Sequence, residues 1–385
     1  MPRKSRQSNN SRPSATKALV LAAGVGTRLD PLTKSVPKPL VPVGNRPVME
    51  HVLRLLKRHN INDVSANLHY MAEMIPAYFD GVKDLGQSLH FVHEETLSGD
   101  AGGMRACKTF LEDSTFVVLM GDIITDIDLS FVVDKHKRSG ALASIALKTV
   151  DDVQHFGVAR LNNEHRIVEF QEKPKPEEAI SNLASTGIYV FEPEIFDYVP
   201  SNGTYMFGNE LFPKLLRMGV PINGVRVLGH WSDIGTINTY RQTCFDAING
   251  SIDIDMPANQ YDPYTHRHVD VEGTLLLGRN CQISAGVKVR GNVIIGDDCA
   301  IGPGVTLEDT IIWPNSKITA DSVLRGSIVG NNCLIPAGTF YEEATVVQQK
   351  AAQAAPDLTS KLARLRQNHA DQNGYLGNSR VDRSA

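Results

Sequence analysis

The stretch LVLAAGVGTRLDPLTKSVPKPLVPVGNRP, residues 19–47, decides how the first half of the chain is read. It opens inside a short apolar run, ALVLA at 18–22, which has the composition of a strand buried on both faces. Glycines follow at 24 and 26, then Thr27 and Arg28. A backbone without Cβ atoms at Gly24 and Gly26 lets its N–H groups come close to a phosphate. Thr27 adds a hydroxyl, and Arg28 a permanent charge with a forked set of donors. Lys38, between Pro37 and Pro39, is a second cation on a stiff loop. Two glycines alone make only a tight turn, and the spacing is neither G-x-G-x-x-G nor the Walker pattern. A tight turn does not account for an Arg, a Lys and several prolines on the same loop.

Outward from this loop, strands alternate with helices as far as about Gly250. The segment from Pro47 to Arg58 carries Val48, Val52, Leu55 and Leu56 on one helical face, with Asn45 or Arg46 near its start. Val64–Leu68, Leu89–Val92 and Phe116–Met120 read as further strands. Repeated alternation predicts an α/β domain built on a mainly parallel sheet with helices on both faces. Such sheets hold ligands at the carboxyl ends of their strands. Two motifs fall there: Gly24–Arg28, and Gly121-Asp122 after FVVLM. Asp126 and Asp128 read as turn and capping residues before a helix starting near Leu129.

After about Pro263 the period changes. Leu277, Ile283, Val289, Ile295, Ile301 and Leu307 recur every six residues. Four positions after each come Cys281, Val287, Val293, Cys299, Val305 and Ile311. The register slips by one, resumes at Ile312, Ile318 and Leu324, slips again, and resumes at Val329 and Ile335. A hexapeptide period in two phased columns predicts short strands wound into a parallel β-helix over residues 263–341. Cys281, Cys299 and Cys333 all fall on inward positions, where a thiol is a small core side chain.

Composition bounds what remains. With 42% hydrophobic and 21% charged residues the chain is of ordinary globular type. A formal net charge of −4 gives no basic excess to suggest nucleic acid as a partner. No apolar stretch reaches the ~18 residues of a membrane helix. Residues 1–16 hold Arg3, Lys4, Arg6 and Arg12 among Ser, Asn and Pro, and read as a solvated basic arm without the apolar stretch of a secretory signal. A cytoplasmic location is expected, and five cysteines without a C-x-x-C fit a reducing compartment. Residues 342–385 read as a tail in which Leu358, Leu362 and Leu365 form one or two amphipathic turns.

The 19–47 segment resembles the signature of the sugar-1-phosphate nucleotidylyltransferases, the nucleotide-sugar pyrophosphorylases. Further motifs follow in that family's order: GDAGG (99–103), GD (121–122), FG (156–157), EKP (172–174), TGIY (186–189) and WSDIGT (231–236). The resemblance covers residues 17–250 and implies a Rossmann-like catalytic domain followed by a left-handed β-helix. It implies attack of a sugar phosphate oxygen on the α-phosphorus of a nucleoside triphosphate, with release of pyrophosphate. By resemblance Mg²⁺ is the cofactor, with Asp122 and Asp233 its ligands. Arg28 and Lys38 then act with them on the reacting phosphates. Ala23, Gly24, Gly26, Thr27, Arg28, Asp100, Ala101 and Gly102 bind the nucleotide, and Gly157, Glu172, Lys173 and Thr186 the sugar phosphate. A homo-oligomer is expected, without membrane or nucleic-acid partners.

The preferred pair is GTP with mannose 1-phosphate; glucose 1-phosphate with UTP, dTTP or ATP is the alternative. The resemblance places Asp100 in the loop at the base, where its carboxylate could accept the adjacent N1–H and N2–H donors of guanine and so read it. Its competing use is to cap a helix beginning near Ala101. Two remoter readings remain. A hexapeptide acyltransferase wants an imidazole base, and no His occurs between His268 and His369. A non-catalytic regulatory paralogue would tend to lose Arg28, Lys38, Asp122 or Asp233, and all four are present.

Overall fold

The computed structural model describes residues 16–348. The basic arm before Thr16 and the leucines at 358, 362 and 365 lie outside the described residues.

The ALVLA run forms the strand Lys17–Leu21 at the centre of a nine-stranded sheet. It pairs in parallel with Asp63–Leu68 on one side and Phe116–Met120 on the other, and Asp63–Leu68 pairs in parallel with Ser88–His93. The other half of the sheet is mostly antiparallel, with one parallel pair, Ile222–Arg226 beside Ala143–Thr149. Leu183–Phe191 runs antiparallel to Phe116–Met120 and to Ala143–Thr149, and Gly157–Leu161 makes an antiparallel hairpin with Ile167–Glu172. The expected mainly parallel sheet is therefore mixed. Its first four strands have helical crossovers, whereas a short reversal joins Gly157–Leu161 to Ile167–Glu172, which only antiparallel neighbours allow. Two apolar layers, one on each face, bury the strand run completely: Ala18 and Val20 face one, Leu19 and Leu21 the other.

The helix Val48–Arg58 turns Met49, Val52, Leu53 and Leu56 into the core. Its N-cap is Pro47, and neither Asn45 nor Arg46 caps it. Asp128 does cap the helix Leu129–Ser139, accepting from the Phe131 N–H at 3.0 Å.

From Asp270 to Val346 the chain winds as a parallel β-helix. Lys288 pairs with Asp270 before it and Thr306 after it, eighteen residues each way. Thr306 pairs with Val323 and Val323 with Phe340, seventeen residues each. The slips in the hexapeptide pattern have this cause. Gly291, Asn292 and Val293 lie between Arg290 and Ile294, whereas only Asp309 and Thr310 lie between their partners Glu308 and Ile311, one residue fewer. Asn280, Asp298, Asn315 and Asn332 take φ of 56–60° at successive corners, a left-handed conformation that Asn and Asp tolerate best after Gly. The last rung among the described residues is Thr345–Val346, beyond Tyr341, where the hexapeptide reading of the sequence ends.

Cys299 and Cys333 are buried, and Cys281 packs against the same interior but is only partly covered, because it adjoins Gln282–Ile283, the edge strand of its sheet. One column position needs correction. Ile311 is not inward. It stacks with Ile294 and Ile328 on the outer face of its sheet, while Ile295, Ile312 and Val329 fill the interior. The helix Ile237–Ile248 packs against the coil. Tyr240, fully buried, accepts a bond from the Trp313 indole at 2.8 Å, and Arg241 donates to the Gly326 carbonyl at 2.6 Å.

Candidate functional site

The carboxylates of Asp122 and Asp233 are brought together by a two-stranded ladder. Ile123–Thr125 pairs antiparallel with Trp231–Asp233, so Asp233 lies opposite Ile123, beside Asp122. The Ile234 N–H closes the pair on the Asp122 carbonyl at 3.2 Å. Lys38 reaches in from its proline-braced turn, with Nζ 2.5 Å from Asp122 Oδ2 and 3.6 Å from Asp233 Oδ1. Gly26 makes room for it: its φ is 74°, and a Cβ there would meet Lys38 Cβ at 2.9 Å. Burial, then the neighbouring Asp122 charge, pushes the Asp233 carboxyl up, while Lys38 and Arg28 oppose the shift. Asp233 Oδ1 is buried without a hydrogen-bond partner. A buried, unsatisfied carboxylate oxygen facing a second carboxylate is an unfavourable arrangement that a cation would relieve.

Two cavities meet over this pair. One, of about 250 Å³, is walled by Ala22, Ala23, Gly24, Lys38, Pro39, Asn67, Glu94, Leu97, Gly99 and Asp100 and reaches Asp122. The other, of about 220 Å³, runs from Arg28, Asp122 and Asp233 past Gly157, Glu172, Lys173, Ser185, Thr186 and Gly187 to Trp231. Asp100, Met120, Asp122 and Met206 wall both. The first has Gly24 bare at its mouth, in open space; the second contains a carboxylate and an ammonium, with Lys173 Nζ 3.6 Å from Glu172. Trp231 packs edge-on against Phe156, with ring centroids 4.8 Å apart, and donates to the Thr186 carbonyl at 2.7 Å.

Several expected contacts are placed differently. Ala101 and Gly102 do not wall the nucleotide-side cavity. They are buried, and their N–H groups are spent on Asp100 Oδ1 and the Tyr205 carbonyl. Gly26 and Thr27 also stand off both cavity walls, Gly26 serving the approach of Lys38. The Thr186 hydroxyl is used within the sheet, donating to the Ala146 carbonyl at 3.0 Å. Asp100 is the first residue of the helix Asp100–Ala106, with Gly99 as the N-cap. One oxygen of Asp100 accepts the Ala101 N–H at 2.7 Å and the Phe207 N–H at 2.6 Å, tying that helix to the segment after Met206.

The residue that sequence reading missed is Glu94. It is buried on the wall of the first cavity, its Oε1 accepting from Asn67 Nδ2 at 2.6 Å and its Oε2 from the Ser98 hydroxyl. Asn67 is fixed in turn because its own oxygen accepts the Ala22 N–H at 3.0 Å. Glu94 directly follows the strand Ser88–His93, and a carboxylate at the carboxyl end of a parallel strand was the available signal.

A phosphate-accessible loop, two convergent carboxylates and adjoining cavities on a Rossmann-like sheet define a nucleotidyltransferase. Residues 17–248 match the family model described as nucleotidyl transferase, and residues 271–356 the one described as GMPPB C-terminal domain. The chain belongs to the nucleotidyl transferase family and is a sugar-1-phosphate nucleotidylyltransferase. It is 35% identical over 350 residues to the UTP–glucose-1-phosphate uridylyltransferase of Synechocystis sp., covering 85% of this chain and 90% of that one. It is 31% identical to the mannose-1-phosphate guanyltransferase of Emericella nidulans, covering 86% and 90%. A putative glucose-1-phosphate thymidylyltransferase from Bacillus anthracis, solved in complex with a sucrose, superposes with a TM-score of 0.56 at 30% identity, covering 63% of this chain and 98% of that one. No helix among the described residues is long and apolar enough to cross a membrane.

Proposed function

We propose that this enzyme transfers a guanylyl group from GTP to mannose 1-phosphate, releasing pyrophosphate. The observation that carries the choice of base is Glu94. It is a buried carboxylate on the nucleotide-side wall whose orientation is held by Asn67 and Ser98. Each carboxylate oxygen retains acceptor capacity beyond its one protein donor. Guanine offers two adjacent N–H donors to such a group, whereas the carbonyls flanking the single N–H of uracil or thymine would be repelled by it. Asp100, with one oxygen already shared between two backbone donors, fits a positioning role better than a reading one.

Mg²⁺ fits the pair at the centre. Asp122 and Asp233 are hard oxygen donors facing one another, and Asp233 Oδ1, which accepts no hydrogen bond and has Lys38 Nζ 3.6 Å away, keeps capacity for a cation. Among the described residues no cluster of three or more His, Cys, Asp or Glu side chains forms a closed cage, which suits an ion completed by phosphate and water. When bound, the ion neutralises phosphate charge. The chain's own groups do the rest. Gly24 presents bare backbone to the triphosphate, Lys38 and Arg28 stabilise charge as the bond to pyrophosphate breaks, and Lys173 orients the attacking sugar phosphate. Glu172 accepts from sugar hydroxyls. Assembly as a homo-oligomer and a cytoplasmic location belong to the same reading.

A second reading, glucose 1-phosphate with UTP, is favoured by the name and near-complete coverage of the Synechocystis relative. Pyrophosphate release from four nucleoside triphosphates against mannose and glucose 1-phosphates separates the two. Preference for UTP or dTTP overturns the first.

A further inference from the structure

Glu172 lies between two glycines. A Cβ on Gly208 would meet Glu172 Oε2 at 2.1 Å, Cδ at 2.7 Å and Cγ at 3.3 Å. On the other side a Cβ on Gly157 would meet the same Oε2 at 2.8 Å and the Phe170 ring at 2.4 Å. Neither glycine has a positive φ, so the backbone conformation does not call for glycine at either place. Space does. Gly208 belongs to the wide π-turn Phe207–Leu211, in which the Leu211 N–H reaches back to the Met206 carbonyl at 3.0 Å. Such turns are rare and cluster at functional sites. Here the turn sets a backbone without a side chain against the carboxylate, and the Asp100 bond to the Phe207 N–H holds it there at 2.6 Å.

The carboxylate so held is mostly enclosed. Burial raises the Glu172 carboxyl, and Lys173, its single ion-pair partner among the described residues, opposes the shift. A group in this position gains from a fixed location only if something outside the protein completes its bonding. We propose that Gly208 is a positioning residue for the sugar 1-phosphate: by omitting a side chain it lets the Glu172 carboxylate lie in the register that meets the sugar ring. The Glu172 side chain is flexible, so a methyl group at 208 displaces the carboxylate while the fold stays intact. The inference rests on the reading of Glu172 as a sugar-hydroxyl acceptor given above.

The test is kinetic, with mannose 1-phosphate and glucose 1-phosphate each varied at saturating nucleoside triphosphate. Gly208→Ala should raise the KM for the better sugar phosphate about tenfold or more. The KM for the nucleoside triphosphate and the melting midpoint should stay near wild type. In Gly208→Ala/Glu172→Ala no atom beyond Cβ remains at 172 for the added methyl to displace, so the double variant should match Glu172→Ala alone. If Gly208→Ala does not accumulate as folded protein, this double variant carries the test. An unchanged sugar KM in folded Gly208→Ala overturns the proposal, as does an equal rise in both KM values, or a double variant that misfolds where Glu172→Ala folds. Glu172→Gln separates the two levels of argument. If its sugar KM is unchanged, the reading of Glu172 has failed. If its sugar KM rises while that of Gly208→Ala does not, only the role of Gly208 has failed.

Discussion

The catalytic half and the β-helix treat buried polar groups in opposite ways. Every buried side-chain nitrogen or oxygen without a hydrogen-bond partner among the described residues lies between His51 and Asp233. None lies in the coil, where Thr310, Ser316 and Ser322 are buried and each donates to a carbonyl of the next turn. A repeat satisfies its polar groups by stacking, because each coil offers the same acceptors to the one below it. Of the unpaired atoms in the catalytic half only Asp233 Oδ1 belongs to a residue walling either site cavity, and there a site must leave some bonding capacity open for its ligand. The comparison teaches where to cut for chemistry and where to cut for stability.

The largest effect should come from the carboxylate pair. Asp122→Asn should keep the fold and lower kcat on the order of 10³-fold, since an amide is a poor ligand for a hard cation. Asp233→Asn should do the same, and the double variant should be little worse than either single one. Full turnover by Asp122→Asn at limiting Mg²⁺ would remove it from the site. The coil should show the reverse pattern. Ile318, fully buried, should cost about 2–5 kcal/mol of unfolding free energy when cut to alanine. Both KM values should hold, and denaturant titration beside steady-state kinetics checks this. A KM shift as large as the stability loss would break the contrast between the halves.

A smaller effect concerns the base. Glu94→Gln should reduce the ratio of kcat/KM for GTP over UTP by roughly tenfold or more, because the amide nitrogen presents a donor to guanine's donors. A ratio that does not move returns the question to Asp100. The smallest effect is one of pH. Burial lifts the Asp100 carboxyl to about 6 from the ordinary 3.8, against the Phe207 and Ala101 N–H groups that lower it. Between these values the folded chain keeps a proton that the unfolded chain has released, so stability from this residue falls as pH rises from about 4 to 6. Asn carries no such charge. Asp100→Asn should therefore gain stability over wild type across that window, by about 1–2 kcal/mol after allowance for solvent screening. A difference that is flat with pH would show that Asp100 titrates normally.

How far the sequence could be read depended on the range of the interactions involved. The column Val289, Ile295, Ile301 and Leu307 was legible because each coil repeats its neighbour's environment. The central strand was legible from its own five residues. Ile311 was misassigned because the shortened corner at Asp309 exchanges inner for outer positions, which the period alone does not record. In the site, Arg28, Lys38, Asp122 and Asp233 stood out as a motif, but their convergence depends on the ladder between Ile123–Thr125 and Trp231–Asp233. Glu94 sits in an otherwise ordinary run, HEETLSGD, where its place at the end of a strand is the one local signal, and its fixing by Asn67 comes from the neighbouring strand. Thr186 shows the converse: its motif is conspicuous, yet its hydroxyl is used internally.

The change from eighteen to seventeen residues per turn makes the coil a ruler with a fixed graduation. Ile312 stacks on Val329, and Ile318 on Ile335, with the same offset of seventeen. Excision of residues 313–329 would join Ile312 to Gly330 and leave the remaining rungs in phase, shortening the stack by one strand spacing of about 4.8 Å. Excision of one residue more or fewer would turn each later inward side chain to the opposite face. The length of this part of the molecule can therefore change only in whole turns, and trimming or grafting the stack must keep count in seventeens.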